Sequence, residues 1–283
     1  MSHLWDMSFS LLLNGLGRAL TEAALGAGHR VVATARDPGS LADLAERHGP
    51  AVRLAALDVT DPEAAARAVA LAANDFGGLD VVVNNAGYGD IGSVEDTSLE
   101  DFRKQIEANL FGAIIVTKAA IPLLRAQRSG HFIQLSSVGG RLGAPGRAAY
   151  SAAKWGVEGF SEVLAQEMAL VGVKVTIVEP GGFRTDFAGA STRLDAGRPE
   201  YDAVVGAAAR RQADYDGRQP GDPRKAAQVL LKLAAMPSPP LRLPLGSDAV
   251  AAISGADQRR LAELEQWGAL SVSTDFDEPL LAR

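Results

Sequence analysis

The stretch that decides the fold runs from His131 to Lys154 and combines an apolar strand, a short loop and the start of a helix. It begins His131-Phe-Ile-Gln-Leu-Ser-Ser-Val-Gly-Gly140 and, after a loop of Gly, Pro and Arg residues, continues as Tyr150-Ser-Ala-Ala-Lys154. A continuous apolar run that ends in hydroxyls and glycines is typical of a buried parallel strand. This pattern predicts a cleft at the carboxyl end of the strand, with Ser137 at its edge.

The helix that follows carries a tyrosine and a lysine on one face, because Tyr150 and Lys154 are four residues apart. A neighbouring ammonium favours the phenolate and lowers the pKa of a tyrosine. The pair therefore suits proton transfer to or from an alcohol near neutral pH, with Ser137 donating a hydrogen bond to the same substrate oxygen. A lone Tyr-x-x-x-Lys motif more often joins a packed tyrosine to a solvated lysine, so the surrounding motifs decide between the two interpretations.

Strands and helices alternate along the rest of the chain. Apolar runs predict seven strands, at 8–13, 30–35, 52–57, 79–83, 132–135, 173–178 and 241–245. Helices are predicted at 15–27, 38–47, from Asp61 onward, and at 99–125, 150–170, 224–235 and 249–267. This alternation predicts one α/β domain over residues 1–283, a doubly wound parallel sheet with helices on both faces. Asp58, Asn84, Ser137 and Pro180 follow strands and should meet at one edge of the sheet.

Composition excludes several classes of function. The 283 residues carry a net charge of −6, which argues against a general binder of nucleic acid or anionic membranes. With no cysteine, disulfides and thiolate chemistry are excluded, and the four histidines show no metal-ligand spacing, so no metal site is expected. The apolar runs are too short to span a bilayer and the amino terminus lacks a secretory pattern, so a cytoplasmic protein is expected.

Two segments stand apart from the alternating pattern. Residues 187–222 are rich in Gly, Ala, Arg and Asp and show weak periodicity, which fits either a surface loop or a substrate lid. Their position directly after a strand end favours the lid. Residues from about 246 to 283 are predicted to form a carboxyl-terminal extension.

Several motifs with fixed spacing surround the Tyr150 helix. Ser137 precedes Tyr150 by 13 residues, Asn84-Asn85-Ala86-Gly87 and Asn109 lie upstream, and Pro180-Gly181-Gly182-Phe183-Arg184-Thr185 lies downstream. Together they resemble the short-chain dehydrogenase/reductase (SDR) family across nearly the whole chain. The resemblance implies a Rossmann-type fold and a nicotinamide cofactor.

The resemblance also implies roles for the catalytic candidates. Tyr150 would be the general acid/base, and Lys154 would hold the nicotinamide ribose and lower the pKa of Tyr150. Ser137 would polarise the substrate carbonyl, with Ser136 as the less favoured neighbour. Asn109 would kink its helix and hold a water that relays protons to the lysine.

Cofactor preference is read at the end of the second strand, Thr34-Ala35-Arg36-Asp37. NAD-type sites place a carboxylate there for the ribose 2′-hydroxyl. In this chain Ala35 occupies that place, and the Arg36 guanidinium can pair with a 2′-phosphate. Asp37 weakens the case, but NADP(H) is the predicted cofactor.

The remaining site candidates lie at the strand ends, where a turn residue or a structural cap is the alternative for each polar member. The cofactor-binding candidates are Gly15, Leu16, Gly17, Arg36, Asp58, Val59, Asn85, Ala86, Gly87, Tyr150, Lys154, Pro180, Gly181 and Thr185. The substrate-binding candidates are Ser137, Val138, Leu142, Phe183 and Phe187. Their apolar character suggests a hydrophobic carbonyl compound such as a polyketide, terpenoid or steroid-like molecule.

The chain departs from the family at the first turn. Where the family has Thr-Gly-x-x-x-Gly-x-Gly, this sequence reads Ser10-Leu-Leu-Leu-Asn-Gly-Leu-Gly17, unless the turn is shortened and 8–13 is itself the strand. Leucine takes a positive φ only at a cost, and its side chain would fill the space of a phosphate. Weakened NADP(H) binding is therefore expected.

Two hypotheses follow from this conflict. The leading one is an NADP(H)-dependent oxidoreductase that interconverts a ketone and a secondary alcohol on a hydrophobic small molecule. The alternative keeps the fold but loses cofactor binding, and performs cofactor-independent elimination or cyclisation or serves as a non-catalytic subunit. Surplus apolar residues on 99–125 and 150–170, such as Ile114, Ile115, Phe160 and Leu164, also predict a homodimer or homotetramer.

Overall fold

A computed structural model describes residues 15–187 and 192–276. The strands are β1 (Val31–Ala35), β2 (Val52–Ala56), β3 (Val81–Asn84), β4 (His131–Leu135), β5 (Lys174–Pro180) and β6 (Arg242–Leu245). The helices are α1 (Leu16–Gly26), α2 (Ala42–His48), α3 (Pro62–Phe76), α4 (Leu99–Ile106), α5 (Gly112–Gln127), α6 (Ala148–Ala169), α7 (Ala207–Tyr215), α8 (Pro223–Ala235) and α9 (Ser247–Val272).

Every strand pairing in the described part of the chain is parallel. β1 pairs with β2, and a second sheet has the order β3-β4-β5-β6. The prediction of an α/β fold with a parallel sheet is confirmed. Six of the seven predicted strands are present, and the seventh, at 8–13, lies outside the described residues.

Apolar residues cover both faces of the strands. On one face, Leu20 of α1 and Leu230 of α8 join a core that β1, β3 and β4 share. On the other, Ala68 of α3, Val116 of α5 and Leu164 of α6 form a second core. The helices therefore shield the sheet from both sides, as a doubly wound fold requires. The use of Leu164 as a surplus interface residue was wrong, because its side chain packs inside the chain's own core.

The predicted single helix at 99–125 is interrupted in the middle. A π-helical segment, Glu107–Phe111, separates α4 from α5, and Asn109 lies within it. Such bulges widen a helix by one residue per turn and are frequent at functional sites. The expected irregularity at Asn109 is therefore present, although its form is a bulge within a continuous helical path.

The segment Leu99–Gln127 is long and apolar enough to cross a bilayer, by length and composition alone. This corrects the expectation that every apolar run is too short. One such helix is weak evidence, because core helices of soluble proteins pass the same test. Here Val116, Ala120 and Leu124 are buried against the sheet.

The segment 187–222 is more regular than its sequence suggested. It contains a 3₁₀ turn at Pro199–Tyr201, a π turn at Asp202–Gly206 and the helix α7, while residues 188–191 lie outside the described part. The carboxyl-terminal helix α9 is also longer than predicted. At its amino end, Asp248 accepts a hydrogen bond of 2.7 Å from the Gly182 N–H, which joins α9 to the loop after β5.

Candidate active site

A cleft of about 970 Å³ opens at the carboxyl ends of the strands. Most of the predicted site residues line it. They are Gly15, Leu16, Arg36, Asp58, Val59, Asn85, Ala86, Gly87, Ser137, Val138, Leu142, Tyr150, Lys154, Pro180, Gly181, Phe183, Thr185 and Phe187. Two predicted residues lie behind the wall instead: Gly17 is buried within α1, and Asn109 is buried in the π-helical segment.

The hydroxyls of Ser137 and Tyr150 enter this cleft from neighbouring elements. Ser137 follows β4, and its Oγ accepts a 3.0 Å hydrogen bond from the Gly139 N–H, which fixes the side chain. Gly139 in turn packs against the ring of Tyr150. The Phe187 ring lies on the tyrosine with centroids 5.8 Å apart. Tyr150 is therefore buried and held between the loop after β4 and Phe187.

Lys154 is buried one helical turn from Tyr150. Its Nζ donates a 2.7 Å hydrogen bond to the Leu135 carbonyl and lies 5.9 Å from the centroid of the Tyr150 ring. Burial lowers the pKa of Lys154 to about 8, and the charge of Glu158 opposes that shift. Burial of the charged ammonium therefore costs folding free energy, and such perturbed lysines are frequent at functional sites.

The charge environment of Tyr150 differs from the expectation. Burial raises the pKa of Tyr150, and the neighbouring Ser137 hydroxyl and the Arg147 guanidinium oppose that rise. The cation expected to lower this pKa was Lys154. In the structure the Arg147 guanidinium has that effect. It lies 5.8 Å from the ring centroid, and the Lys154 Nζ, at a similar 5.9 Å, donates its hydrogen bond to the Leu135 carbonyl.

Asn109 acts on the site through the backbone. Its side-chain amide accepts from the Tyr88 N–H at 2.9 Å and donates to the Tyr88 carbonyl at 2.8 Å. These bonds hold the loop that follows β3 against the helix. A Cβ at Gly87 would lie 2.4 Å from the Asn109 Oδ1 and 3.5 Å from the Lys154 Nζ, so only glycine lets this loop pass beside the lysine.

The far end of the cleft carries a cation beside a carboxylate. Arg36 is exposed there and makes no ion pair with any residue in the described ranges. Asp58 is held by two hydrogen bonds from Thr60, which together with the Arg36 charge lower the pKa of the carboxyl. Asp37, which weakened the cofactor argument, is directed elsewhere: its Oδ1 accepts from the Gly39 N–H and caps a 3₁₀ turn.

The first turn is described only from Gly15 onward. Gly15 has φ of 63° and packs so closely on Thr185 that a Cβ would lie 2.7 Å from the threonine Cβ. These two cofactor candidates, distant in sequence, therefore adjoin each other. The altered residues 10–14 lie outside the described part of the chain.

Several cleft residues were missed by the sequence analysis, notably Arg147, Gln212, Tyr215 and Gln219. Arg147 lies just before α6, and the other three come from the segment predicted as a lid. Both amide atoms of the Gln219 side chain are buried and have no hydrogen-bond partner among the described residues. No local motif marks these residues, because tertiary packing alone brings them to the cleft.

In the described ranges, no group of three or more His, Asp or Glu side chains is placed to bind a metal ion. The titratable residues that line the cleft include Tyr150, Lys154, Arg147, Arg36 and Asp58. With Ser137 they can bind an oxygen, move a proton to or from it, and hold anionic or hydroxylated groups at either end.

Comparison with known proteins gives a consistent result. The family model described as short chain dehydrogenase matches residues 13–195. The chain is 46% identical over 275 residues to the oxidoreductase BOA17 of Botryotinia fuckeliana, covering 97% of this chain and all of that one. Its structure is similar to that of a short-chain dehydrogenase from Streptomyces avermitilis, with a TM-score of 0.89, 38% identity, and coverage of 96% and 100%. It also shares its fold with ElxO, solved with NADP bound, at a TM-score of 0.71 and 22% identity, over 87% of this chain and 100% of that one.

Proposed function

Because the chain belongs to the SDR family of oxidoreductases, we propose that it interconverts a ketone and a secondary alcohol on a hydrophobic small molecule, using NADP(H). The observation that carries the proposal is the convergence of Ser137, Tyr150 and Lys154 on one wall of the cleft. A fold alone would not suffice, since one fold serves many activities.

The residues of the cleft fit a dinucleotide. Arg36, which makes no ion pair with a described residue, offers its guanidinium to a 2′-phosphate, and Asp58 is held beside it by Thr60. At the other end, the unpartnered amide of Gln219 lies among the wall residues near Gly181 and Phe183, where a polar ligand group would relieve the cost of its burial. When bound, NADP(H) would supply or accept the hydride.

The chain's own residues would manage the proton. In ketone reduction Tyr150 would donate its phenolic proton to the carbonyl oxygen, and the Ser137 hydroxyl would donate a hydrogen bond to the same atom. Burial keeps the phenol protonated near neutral pH, which suits this direction. In alcohol oxidation the phenolate must form, and the Arg147 and Lys154 charges would stabilise it.

The substrate end of the cleft is mostly apolar. Val138, Leu142, Phe183 and Phe187 line it, and Phe187 packs on Tyr150 itself. Apolar walls exclude water and strengthen the hydrogen bonds made to the reacting oxygen. This supports a hydrophobic carbonyl compound as the substrate.

The test is a fluorescence titration of NADPH against the full chain and against a variant in which residues 10–14 are rebuilt as Thr-Gly-Ala-Ser-Ser. Loss of two phosphate hydrogen bonds at roughly 1.5–3 kcal/mol each would weaken binding by about 10²–10⁴-fold. We expect weak binding by the natural chain and tight binding by the rebuilt one. Tight binding by both would show that the altered turn still holds phosphate. No binding by either would overturn the NADP(H) proposal in favour of cofactor-independent chemistry.

We also propose that the protein is a homodimer or homotetramer formed through α5 and α6. Phe111, Trp155 and Val163 remain exposed along this side of the chain, whereas Ile115 and Phe160 are already partly packed on the core. Exposed large apolar residues are typical of protein interfaces. Light scattering at micromolar concentration should give a multiple of the 29.5 kDa chain mass, and a monomer would refute the proposal.

A further inference from the structure

Arg147 is a cleft residue to which neither the Ser137–Tyr150–Lys154 chemistry nor the cofactor candidates give a ligand. Its guanidinium lies over the Tyr150 ring, with 5.8 Å between the charge centre and the ring centroid. One terminal nitrogen donates to the Gly89 carbonyl at 3.1 Å and the other to the Gln212 Oε1 at 2.8 Å. Both partners are neutral, and three of the five N–H groups of the guanidinium are left for a ligand.

The charge of Arg147 is poorly compensated in its surroundings. Within the described ranges no carboxylate forms an ion pair with it. Asp90 is the carboxylate whose charge raises the pKa of Arg147, but its Oδ1 accepts a hydrogen bond from the Arg193 backbone N–H. Removal from water lowers the pKa of Arg147, which shows that the desolvation cost outweighs these attractions.

The position of Arg147 on its helix adds to this cost. It is the residue immediately before α6, where the helix carries its partial positive charge. Negative groups are favoured at this end of a helix, and cations at the other. A half-buried guanidinium at the positive end of a 22-residue helix therefore calls for an anion.

We infer that Arg147 binds a carboxylate group of the substrate, so that the natural substrate is a keto acid or hydroxy acid with an apolar body. This rests on the proposed function, because Tyr150 and Ser137 would hold the reacting oxygen while Arg147 holds the acid. The guanidinium can take a carboxylate through two parallel hydrogen bonds. The apolar wall of Val138, Leu142 and Phe187 would contact the part of the molecule between them.

A phosphate of the cofactor is the competing anion. Arg147 contacts Gly89, Gln212 and the Tyr150 ring, and Gln212 belongs to the segment that covers the substrate end. The residues assigned to the phosphates lie elsewhere: Gly15 immediately precedes α1, and Arg36 immediately follows β1. An Arg147 variant should therefore leave NADPH affinity unchanged, whereas a phosphate contact would lower it.

The experiment compares two ligands of equal shape, 4-acetylbenzoate and 4-acetylbenzamide, which differ in charge. Their binding in the millimolar range is followed by the thermal shift of the full chain, which requires neither NADPH nor turnover. The variants are Arg147→Met and the control Arg210→Met, which removes an exposed arginine of α7 that pairs with Asp202. One charge-assisted contact predicts a preference for the carboxylate of roughly 10- to 100-fold in the natural chain.

We expect Arg210→Met to keep this preference and Arg147→Met to lose it, with the amide binding equally to all three proteins. Equal shifts by both ligands, or no shift with the carboxylate, would overturn the inference. A preference that survives in Arg147→Met would also overturn it. A separate NADPH titration of the same proteins tests the proposed function, so failure of cofactor binding is distinguished from failure of the anion site.

Discussion

Two groups of buried polar side chains in this protein differ in how far they are paired. Inside the sheet, the Asn84 amide donates 2.9 Å hydrogen bonds to Gln134 and to Thr117, and the Gln134 amide donates to the same threonine at 3.0 Å. In the cleft, within the part of the chain that the structure describes, the buried Gln219 amide has no hydrogen-bond partner and the half-buried Arg147 has only neutral ones.

The first group is paired within the protein, whereas the second leaves hydrogen-bonding capacity for a ligand. Polar groups paired with one another stabilise the fold, because each would cost free energy if left alone in the interior. Groups left open at the carboxyl ends of parallel strands cost stability and are retained where a ligand completes them. Substitutions in the two regions should therefore have opposite consequences for activity and stability.

The largest expected effect comes from the cleft. Tyr150→Phe should lower turnover by roughly 10²–10⁴-fold, because only the proton-transferring hydroxyl is lost. The thermal unfolding midpoint should stay close to that of the parent, since the ring still packs on Phe187. Steady-state kinetics and a melting curve measure both. Tyr201→Phe is the matched control, because the Tyr201 hydroxyl donates to Glu95 and does not line the cleft, and it should leave turnover unchanged. Near-full activity in Tyr150→Phe would refute the proposed chemistry.

The second effect concerns the open cation at the other end of the cleft. Arg36→Ala should weaken NADPH binding by roughly 10–100-fold, the value of one charge-assisted contact, and leave NADH binding unchanged. The exposed guanidinium makes no ion pair with a described residue, so stability should not fall. Parallel titrations with both cofactors provide the measurement. An equal loss of affinity for NADPH and NADH would show that Arg36 does not bind the 2′-phosphate.

The third prediction contrasts the two regions directly with the same substitution. Gln134→Leu should lower the free energy of unfolding by about 1–3 kcal/mol, because Asn84 and Thr117 lose a buried partner. Gln219→Leu should leave it unchanged or raise it, because an amide that bonds to nothing is removed. Urea unfolding of both variants gives the comparison. Similar destabilisation by both would mean that Gln219 is paired in solution.

The sequence was sufficient for the parts of the site that local rules determine. The spacing of Tyr150 and Lys154 on one helix and the position of Ser137 after an apolar strand predicted residues that the structure brings to one cleft wall. Arg147 and Gln219 were missed because their environment depends on segments far away in the chain, and nothing in the adjacent residues indicates it. The wrong prediction for Leu164 has the same cause. The sequence shows that the 150–170 helix carries many apolar residues, but it does not show which of its faces packs on the sheet.

The smallest effect tests the buried ammonium of Lys154. In the folded chain its pKa is about 8, below the ordinary value of 10.5, because burial disfavours the charge. At pH 7 Lys154→Met should therefore unfold at a slightly higher temperature than the parent. We expect a net gain of about 1 kcal/mol, since loss of the bond to the Leu135 carbonyl offsets part of the relief.

The pH dependence distinguishes this cause from better packing. Between pH 8 and pH 10.5 the unfolded parent binds the Lys154 proton and the folded parent releases it, so the stability of the parent rises with pH in that window. The Met variant lacks this titration. The advantage of the variant should thus be constant below about pH 8 and shrink as pH rises toward 10.5. Melting curves across this range measure it. An advantage that is independent of pH would mean that the pKa of Lys154 is the same in the folded and unfolded chains, so that the gain comes from packing and not from relief of a buried charge.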